Sequence, residues 1–268
     1  MPLAFEPIAG VIGAEVGGID LAQPVDPVTA KELNEGWLKH HVLFFRDQDI
    51  DVVQHKAFAR SFGELHIHPV LQHRKDEGHP EIIVLESTPQ RPFLADAWHS
   101  DVTFEKAPPK GSILRAVAVP AAGGDTMWAN MYLAYEGLSD KLQRFIDGLE
   151  AFHDPSYHQV AADKQGVPIQ SSTHPVVRRH PETGRKALFV NSVFTRHIVG
   201  LKPAESATLL GLLCKQVESP DIQCRFRWRK NSLAMWDNRC TQHRVVADAR
   251  GEYRRMERVT LIGDVPVA

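Results

Sequence analysis

The sequence has few cysteines, no long apolar run and no excess of either charge, and each absence argues against a class of protein. Its three cysteines have neither CxxC spacing nor an even count, so we expect free thiols in a reducing compartment. No apolar run approaches the roughly 20 residues of a membrane-spanning helix. The first residues lack a basic region and carry Glu6, so we expect no secretory signal. Together these features predict a cytoplasmic protein without a membrane span.

Charge and length exclude further classes of partner and fold. Lys plus Arg is 31 and Asp plus Glu is 33, for a net charge of −2, which gives no support to a nucleic-acid or anionic-membrane partner. A chain of 268 residues with no repeat and no low-complexity linker predicts a single domain over 1–268. No GxGxxG motif is present, which disfavours a doubly wound dinucleotide-binding fold.

The apolar pattern predicts a mainly β fold with flanking helices, built as a sandwich or a barrel. Short apolar or alternating runs indicate strands at 41–45, 81–85, 98–104, 111–119, 186–190, 224–228, 232–237 and 254–263. Spacings near three and four indicate helices at 29–40, 51–61, 139–148 and 203–217. The weakly periodic segment 154–175 is expected to be a long loop, either solvated or functional.

The stretch WHSDVTF places a histidine and a carboxylate inside an aromatic and β-branched run. In a strand, His99 and Asp101 would point the same way, about 6–7 Å apart along the chain. Trp98, Ser100 and Val102 would point the other way. An imidazole and a carboxylate that face a common space suit a metal ion such as Fe(II).

Two other histidine motifs are weaker candidates for a metal site. HIH at 66–68 offers two imidazoles on one strand face, but Pro69 follows at once and no carboxylate shares that face. HPE occurs at 79–81 and again at 180–182, where the central proline favours a turn. The second HPE, within RRHPETGRK, is interpreted as the tip of a hairpin.

His243, which follows a strand-like run in MWDNRCTQH, can supply a third ligand. Two histidines and one carboxylate form the facial triad of non-haem Fe(II) oxygenases, which leaves coordination positions open for a cosubstrate and O2. Farther along, RRMERVTLIG alternates as a strand, so that Arg254 and Arg258 share one face about 13 Å apart. A guanidinium binds carboxylate or sulfonate oxygens in pairs, although solvated arginines on an edge strand are an alternative.

Taken in order, a series of motifs resembles the taurine dioxygenase (TauD/TfdA) family of Fe(II)- and 2-oxoglutarate-dependent dioxygenases. The motifs span nearly the whole chain and are IGAEVGGIDL, HVLFFRDQDI, FGELHIHPV, WHSDVTF, GGDTMWANMYLAYEGLS, HPETGRKALFVN, WDNRCTQH and RRMERVTLIGD. The resemblance implies a double-stranded β-helix, which is a jelly-roll core with flanking helices. It also implies an oxidoreductase that couples the decarboxylation of 2-oxoglutarate by O2, to succinate and CO2, with hydroxylation of a substrate carbon.

The resemblance assigns roles to individual residues. His99, Asp101 and His243 match the catalytic iron ligands. Arg254 and Thr126 match the residues that hold 2-oxoglutarate. Members of the family often form dimers or tetramers, so a homo-oligomer is expected.

Four further positions match residues around the substrate of taurine dioxygenases. His68 and Arg258 match the pair that clasps the sulfonate, and Phe104 and Phe194 match aromatic positions close to it. This set predicts a small anionic substrate. Hydroxylation of the carbon next to sulfur would release sulfite and leave an aldehyde.

The chain departs from the taurine pattern where the rest of the substrate would lie. Leu71, Ala95 and Pro155 stand where those enzymes have a tyrosine, an asparagine and a phenylalanine. Two hydrogen-bonding side chains are thereby lost, and an ammonium group buried without partners is costly. The expected substrate is a sulfonate, taurine-like or with a less polar tail. An alkyl sulfate ester or an aryloxyalkanoate is the alternative within the family.

Two alternatives belong to other functional classes. A metal-dependent hydrolase would need a carboxylate base beside a bound water and would have no use for a deep arginine paired with a threonine. A non-catalytic binding module of the same fold would normally lack one of the three ligands, and all three are present.

Overall fold

The structure is a computed structural model that describes residues 2–90, 95–249 and 251–268. Its α-helices are α1 (Pro27–His40), α2 (Val52–Arg60), α3 (Met131–Glu136), α4 (Asp140–Ile146), α5 (Ser156–Gln165) and α6 (Pro203–Lys215). Short 3-10 helices cover Lys75–Glu77, Gln216–Glu218 and Pro220–Ile222. No helix within the described ranges is long and apolar enough to cross a membrane.

The strands account for most of the remaining regular structure. They are β1 (Ala4–Pro7), β2 (Ala14–Gly17), β3 (Val42–Phe45), β4 (Leu65–His66), β5 (Ile83–Ser87), β6 (Gly111–Ala118), β7 (Thr126–Asn130), β8 (Glu150–His153), β9 (Ser172–Pro175), β10 (Val177–Arg179), β11 (Lys186–Leu188), β12 (Thr195–Ile198), β13 (Gln223–Phe226), β14 (Leu233–Asp237), β15 (Thr241–Val245) and β16 (Arg254–Leu261).

Two sheets face each other to form the core. The 8-stranded main sheet runs β1-β2-β3-β14-β6-β16-β4, with β5 also paired to β16, and a smaller sheet runs β13-β7-β15. Between them, the ring of Phe44 in the main sheet packs 4.1 Å from that of Phe226 and 5.3 Å from that of Trp128 in the smaller sheet. This apolar layer joins the sheets into a sandwich, which confirms the expected β-rich core with flanking helices.

The helices cover the opposite face of the main sheet. Leu43 and Met235 pack there against Trp37 of α1 and Phe58 of α2, whereas their chain neighbours point into the sandwich. Successive strand residues alternate between faces, and both faces of the main sheet are apolar here. The continuous apolar runs at 41–45 and 232–237 therefore correspond to strands buried on both sides.

The predicted hairpin at RRHPETGRK is confirmed, because β10 and β11 pair antiparallel around it. His180 nevertheless lies 1 % exposed, not at a solvated tip. The HIH motif forms little strand, since β4 ends at His66. The helices expected from the periodic segments correspond to α1, α2, α4 and α6 within a few residues at each end.

Two expectations about secondary structure are wrong. The stretch 98–104 is not a strand: His99 makes one isolated bridge, and the chain turns at 101–104. The segment 154–175 is not an irregular loop, because it contains α5 and β9. Only Ala162 of α5 is buried. The helix therefore carries almost no apolar periodicity for a sequence pattern to detect.

Candidate active site

One large cavity, about 1010 Å³ in volume, is walled by the main sheet, the smaller sheet and α5. Every predicted site residue except Phe104 lines it: His68, His99, Asp101, Thr126, Phe194, His243, Arg254 and Arg258. Residues from distant motifs thus meet in one space.

A histidine, an aspartate and a second histidine converge in this cavity. The Nε2 atoms of His99 and His243 each lie 3.9 Å from the same oxygen, Oδ1 of Asp101. The two imidazole rings are 4.3 Å apart between centroids. One ligand atom from each of the three residues lies within 4.8 Å of the others, which is the arrangement of a candidate metal site.

Backbone pairing brings the two histidines together. The amide of His99 donates to the carbonyl of His243 (3.1 Å), and the amide of His243 donates back (2.8 Å). Next to this bridge, the hydroxyl of buried Ser100 donates to the carbonyl of Thr241 at 2.8 Å. A short antiparallel contact, rather than a continuous strand, therefore holds the HxD motif against β15.

Asn238 fixes the turn that carries the carboxylate. Its Oδ1 accepts from the amide of Asp101 at 2.7 Å, and its Nδ2 donates to the carbonyls of Asp101 and Pro109, both at 3.0 Å. Val102 follows with a φ of 53°, in the left-handed region that a β-branched residue rarely adopts. Val102 lines the cavity together with His99 and Asp101, so the strand-based expectation that it points away is wrong.

Hydrogen bonds also orient the side chains of the triad. Nδ1 of His99 donates to the carbonyl of Ala97 at 2.9 Å, which leaves Nε2 as the ring nitrogen with a free lone pair. Ser112 donates to Oδ2 of Asp101 at 2.9 Å, and Nη1 of Arg258 donates to Oδ1. Such outer contacts are typical of metal-ligating residues, whose orientation they fix.

The electrostatics of the triad suit a cation. Burial opposes the charged form of Asp101, but Arg258, followed by His243 and His99, outweighs it and holds the pKa of that carboxyl below its usual range. Burial lowers the pKa of His99, and lowers that of His243 well below its usual range. Two neutral imidazoles and one carboxylate are the protonation states that bind a divalent metal.

A second group of possible metal ligands has its lone pairs occupied. Oδ2 of Asp237 accepts from His180 at 3.0 Å and from Arg239 at 2.6 Å, and Arg239 also donates to Oδ1 at 2.8 Å. Burial raises the pKa of the Cys240 thiol well above its usual range, so it stays protonated. This cluster is a buried ion pair that anchors the chain just before Asn238.

Thr126 and Arg254 lie in the same cavity as a hydroxyl and a buried cation. The indole N–H of Trp228 donates to Oγ1 of Thr126 at 2.9 Å. Since an indole N–H only donates, the threonine O–H remains available as a donor. Arg254 is 4 % exposed, and burial lowers its pKa to about 10, so it remains charged at neutral pH.

His68 is a neutral donor rather than a cation. Its Nδ1 accepts from the amides of Val70 at 3.1 Å and Leu71 at 3.0 Å, which assigns the proton to Nε2. Burial, followed by the neighbouring His158 and Arg258, lowers the pKa of His68 to about 2. Among the predicted substrate residues, the positive charge therefore resides on Arg258.

The two predicted phenylalanines differ in position. Phe194 lines the cavity, and its ring lies 6.4 Å from that of His99. Phe104 is 1 % exposed and packs behind Phe194, with ring centroids 5.4 Å apart. Phe104 is thus placed to support the wall of the cavity rather than to form its surface.

Sequence reasoning missed three residues of the site. Asn238 is contained in the quoted motif WDNRCTQH, but its contact with Asp101 depends on tertiary structure. Trp228 ends the run CRFRW, where an indole suggests core packing. His158 lies on α5, which the periodicity did not reveal. A histidine surrounded by polar residues in that segment gave no signal for a site.

Comparison with known proteins identifies the family. The sequence model of the taurine catabolism dioxygenase TauD, TfdA family matches residues 4–260. The chain belongs to this family. Its members include alpha-ketoglutarate-dependent dioxygenases, which are oxidoreductases, and this agrees with the cavity and its His–Asp–His metal site.

Three similar proteins illustrate the relationship. An alkylsulfatase from Acinetobacter baylyi is 36% identical over 277 residues, which cover 98% of this chain and 86% of that protein. An alpha-ketoglutarate-dependent sulfate ester dioxygenase from Pseudomonas putida is also 36% identical, over 100% of this chain and 92% of its own length. The crystal structure of a taurine dioxygenase from Burkholderia xenovorans has a TM-score of 0.88 and 40% identity, covering 99% of this chain and 91% of that one.

The contacts of Asn238 give a prediction about metal affinity. Asn238→Ala removes both hydrogen bonds to the main chain of Asp101, so the carboxylate is no longer held beside the two imidazoles. We expect Mn(II) to bind about 10–100-fold more weakly in a calorimetric titration. Asn34→Ala on α1, outside the cavity, is the control and should leave the affinity unchanged. Equal affinities in a folded Asn238 variant, checked by circular dichroism, would refute this role.

Proposed function

We propose that this chain is an Fe(II)- and 2-oxoglutarate-dependent dioxygenase that hydroxylates a small organosulfur anion with an apolar tail. The observation that carries the proposal is the convergence, in one cavity, of a His–Asp–His triad with two arginines from a single strand. The two relatives that act on sulfate esters, by their names, support the substrate class. The three free thiols support a reducing, cytoplasmic setting.

His99, Asp101 and His243 would hold the metal. A facial arrangement of two imidazole nitrogens and one carboxylate oxygen fits Fe(II). When bound together with 2-oxoglutarate and O2, the metal supplies the oxidation. The protein supplies the orientation of the ligands, through the bond from His99 to Ala97 and the contacts that hold Asp101.

Thr126 and Arg254 would bind the far carboxylate of 2-oxoglutarate. Arg254 stays charged in a buried position, where an ion pair with a carboxylate is screened little by solvent. The O–H of Thr126, whose oxygen already accepts from Trp228, can donate to the same carboxylate. A cation and an oriented neutral donor together favour a dicarboxylate in this part of the cavity.

Arg258 and His68 would bind the oxidised sulfur group of the substrate. Arg258 uses Nη1 on Asp101, and its buried Nε–H has no hydrogen-bond partner among the described residues. His68 adds a neutral N–H donor. Together they would offer an anion one positive charge and one neutral donor, so a monoanionic group suits them better than a dianion.

Several apolar side chains on the cavity wall favour an apolar tail, and charged side chains on the wall include two ion pairs, Arg74 with Glu77 and Arg255 with Glu86. The apolar side chains on the wall include Leu71, Ala95, Val102, Val193 and Phe194. Two of these, Leu71 and Ala95, are the positions where hydrogen-bonding residues of the taurine pattern are lost. Asp96 also lines the cavity, but it is exposed, so it would contribute little to binding an ammonium group.

The reaction balances for both kinds of organosulfur substrate. One oxygen atom of O2 enters the substrate, and the other enters succinate as 2-oxoglutarate loses CO2. Hydroxylation of the carbon that bears a sulfate ester gives an adduct that expels hydrogen sulfate and leaves an aldehyde. Hydroxylation of the carbon that bears a sulfonate gives an adduct that expels hydrogen sulfite and leaves an aldehyde. The anion released therefore identifies the substrate.

The proposal is tested by substrate-dependent formation of succinate. Protein loaded with Fe(II) is incubated with 2-oxoglutarate, O2 and, in turn, hexyl sulfate, hexanesulfonate, taurine and phenoxyacetate. We expect succinate together with equimolar sulfate from hexyl sulfate or equimolar sulfite from hexanesulfonate. Release of sulfate without O2 would indicate the hydrolase instead. A clear preference for taurine would contradict the apolar tail and point to Asp96 as the partner of its ammonium group.

The two arginines should affect different Michaelis constants. We expect Arg254→Ala to raise the Michaelis constant for the cosubstrate by about tenfold or more, because a charge-assisted hydrogen bond is lost. For the same reason, Arg258→Ala should raise the constant for the organosulfur substrate to a similar extent, when measured at saturating metal because Arg258 also contacts Asp101. Arg185→Ala, at an exposed ion pair with Glu136, is the control and should change neither. Equal effects of both cavity variants on both constants would mean that the roles are misassigned.

A further inference from the structure

His158 is a histidine of the cavity wall that the proposed reaction does not use. It is near the start of α5, where its amide donates to the carbonyl of Pro155 at 2.7 Å. This first turn is fixed in place, because Asp154 accepts from the amide of Ser156 at 2.7 Å and Arg196 donates to the Ser156 hydroxyl at 2.6 Å. The helix therefore presents His158 to the cavity at a defined position.

Aromatic neighbours hold the imidazole of His158 beside the predicted substrate residues. The ring stacks on Phe194 at an interplanar angle of 24° with centroids 6.1 Å apart. It meets the ring of His68 edge-on, at 5.1 Å and 71°, and the ring of Phe104 at 5.8 Å. His158 is thus in the same part of the cavity as the two side chains assigned to the sulfur group and the aromatic wall.

The ring nitrogens of His158 remain available to a ligand. No hydrogen bond joins them to any other residue in the described parts of the chain. Burial, and then Arg258, lowers the pKa of His158 to about 4, so the ring is neutral at neutral pH. A neutral imidazole offers one N–H donor and one acceptor.

We propose that His158 donates its N–H to one oxygen of the sulfur group and thereby selects sulfates and sulfonates over carboxylates. This inference rests on the proposed function. A sulfate ester or sulfonate has three terminal oxygens in a pyramidal arrangement, whereas a carboxylate has two in a plane. Arg258, His68 and His158 provide donors from three different segments around the same space, which matches the group with three oxygens.

The third donor should make the site prefer sulfur head groups to carboxylates. A carboxylate can satisfy Arg258 and His68, but it then leaves the N–H of His158 unpaired at the wall of the cavity. An unpaired buried donor is costly, so a site that hydrogen-bonds a given group rejects analogues that lack it. Selectivity for sulfur should therefore depend on His158 more than on the two residues that any anion can use.

Two substitutions test the N–H donor and the aromatic ring of His158 one at a time. His158→Phe keeps an aromatic ring to stack on Phe194 and removes the N–H, whereas His158→Gln keeps a donor and loses the ring. His197→Phe is the matched control, because His197 is an exposed histidine that also stacks on a phenylalanine, Phe152, at 5.1 Å and 26°. His197 does not line the cavity.

Dissociation constants of hexyl sulfate, hexanesulfonate and heptanoate are measured by calorimetry on protein loaded with Mn(II) and 2-oxoglutarate. We expect His158→Phe to weaken binding of both sulfur compounds by about tenfold and to leave that of heptanoate unchanged or tighter, because the donor that a carboxylate leaves unpaired is removed. His158→Gln should retain part of the preference for sulfur, and His197→Phe should match the wild type.

The outcomes distinguish this inference from the proposed function. If the wild type binds the sulfur compounds and His158→Phe loses affinity for all three ligands equally, or for none, His158 does not select the head group and only this inference fails. If the wild type binds neither hexyl sulfate nor hexanesulfonate, the proposed substrate class itself is wrong.

Discussion

The site depends on one short backbone pairing, in which His99 and His243 exchange hydrogen bonds between segments far apart in the sequence. This bridge is isolated, so few neighbouring ladder bonds reinforce it. Asn238 supplies the missing support by binding the amide and carbonyl of Asp101 from the chain that precedes β15. The buried pair of Asp237 with Arg239 in turn fixes that chain. The buried ion pair is therefore linked to the geometry of the triad through Asn238.

Charge is central to the proposed site. The carboxylate of Asp101 is paired with Arg258, while Arg254 lies buried elsewhere in the cavity. In the proposed complex a metal dication would lie beside Asp101, and the two anions would lie beside the guanidinium groups. This arrangement would place a counter-ion close to each ligand, and uncompensated charge is costly in a buried space. Under the same proposal, neutral His68 and His158 would add hydrogen bonds without adding charge.

The sequence predicted which residues meet in the cavity better than it predicted their local structure. Residue type and spacing marked His99, Asp101, His243 and the two arginines as candidates, and the family resemblance assigned their roles. The strand expected at 98–104 is a turn, since side chains of Asn238 and Ser100 replace the ladder hydrogen bonds. Contacts of this kind, like the position of Phe104 behind Phe194, arise only when distant segments meet, and no local pattern encodes them.

The most direct test of this account is anomalous diffraction from crystals of the protein grown with Mn(II) and 2-oxoglutarate. Within the described part of the chain, two groups of side chains could in principle hold a metal, His99–Asp101–His243 and His180–Asp237–Cys240. The account predicts an anomalous peak at the first group, between the two Nε2 atoms and the carboxylate, and none at the second, where Arg239 occupies the carboxylate. A peak at the second group alone, or at neither, would contradict it.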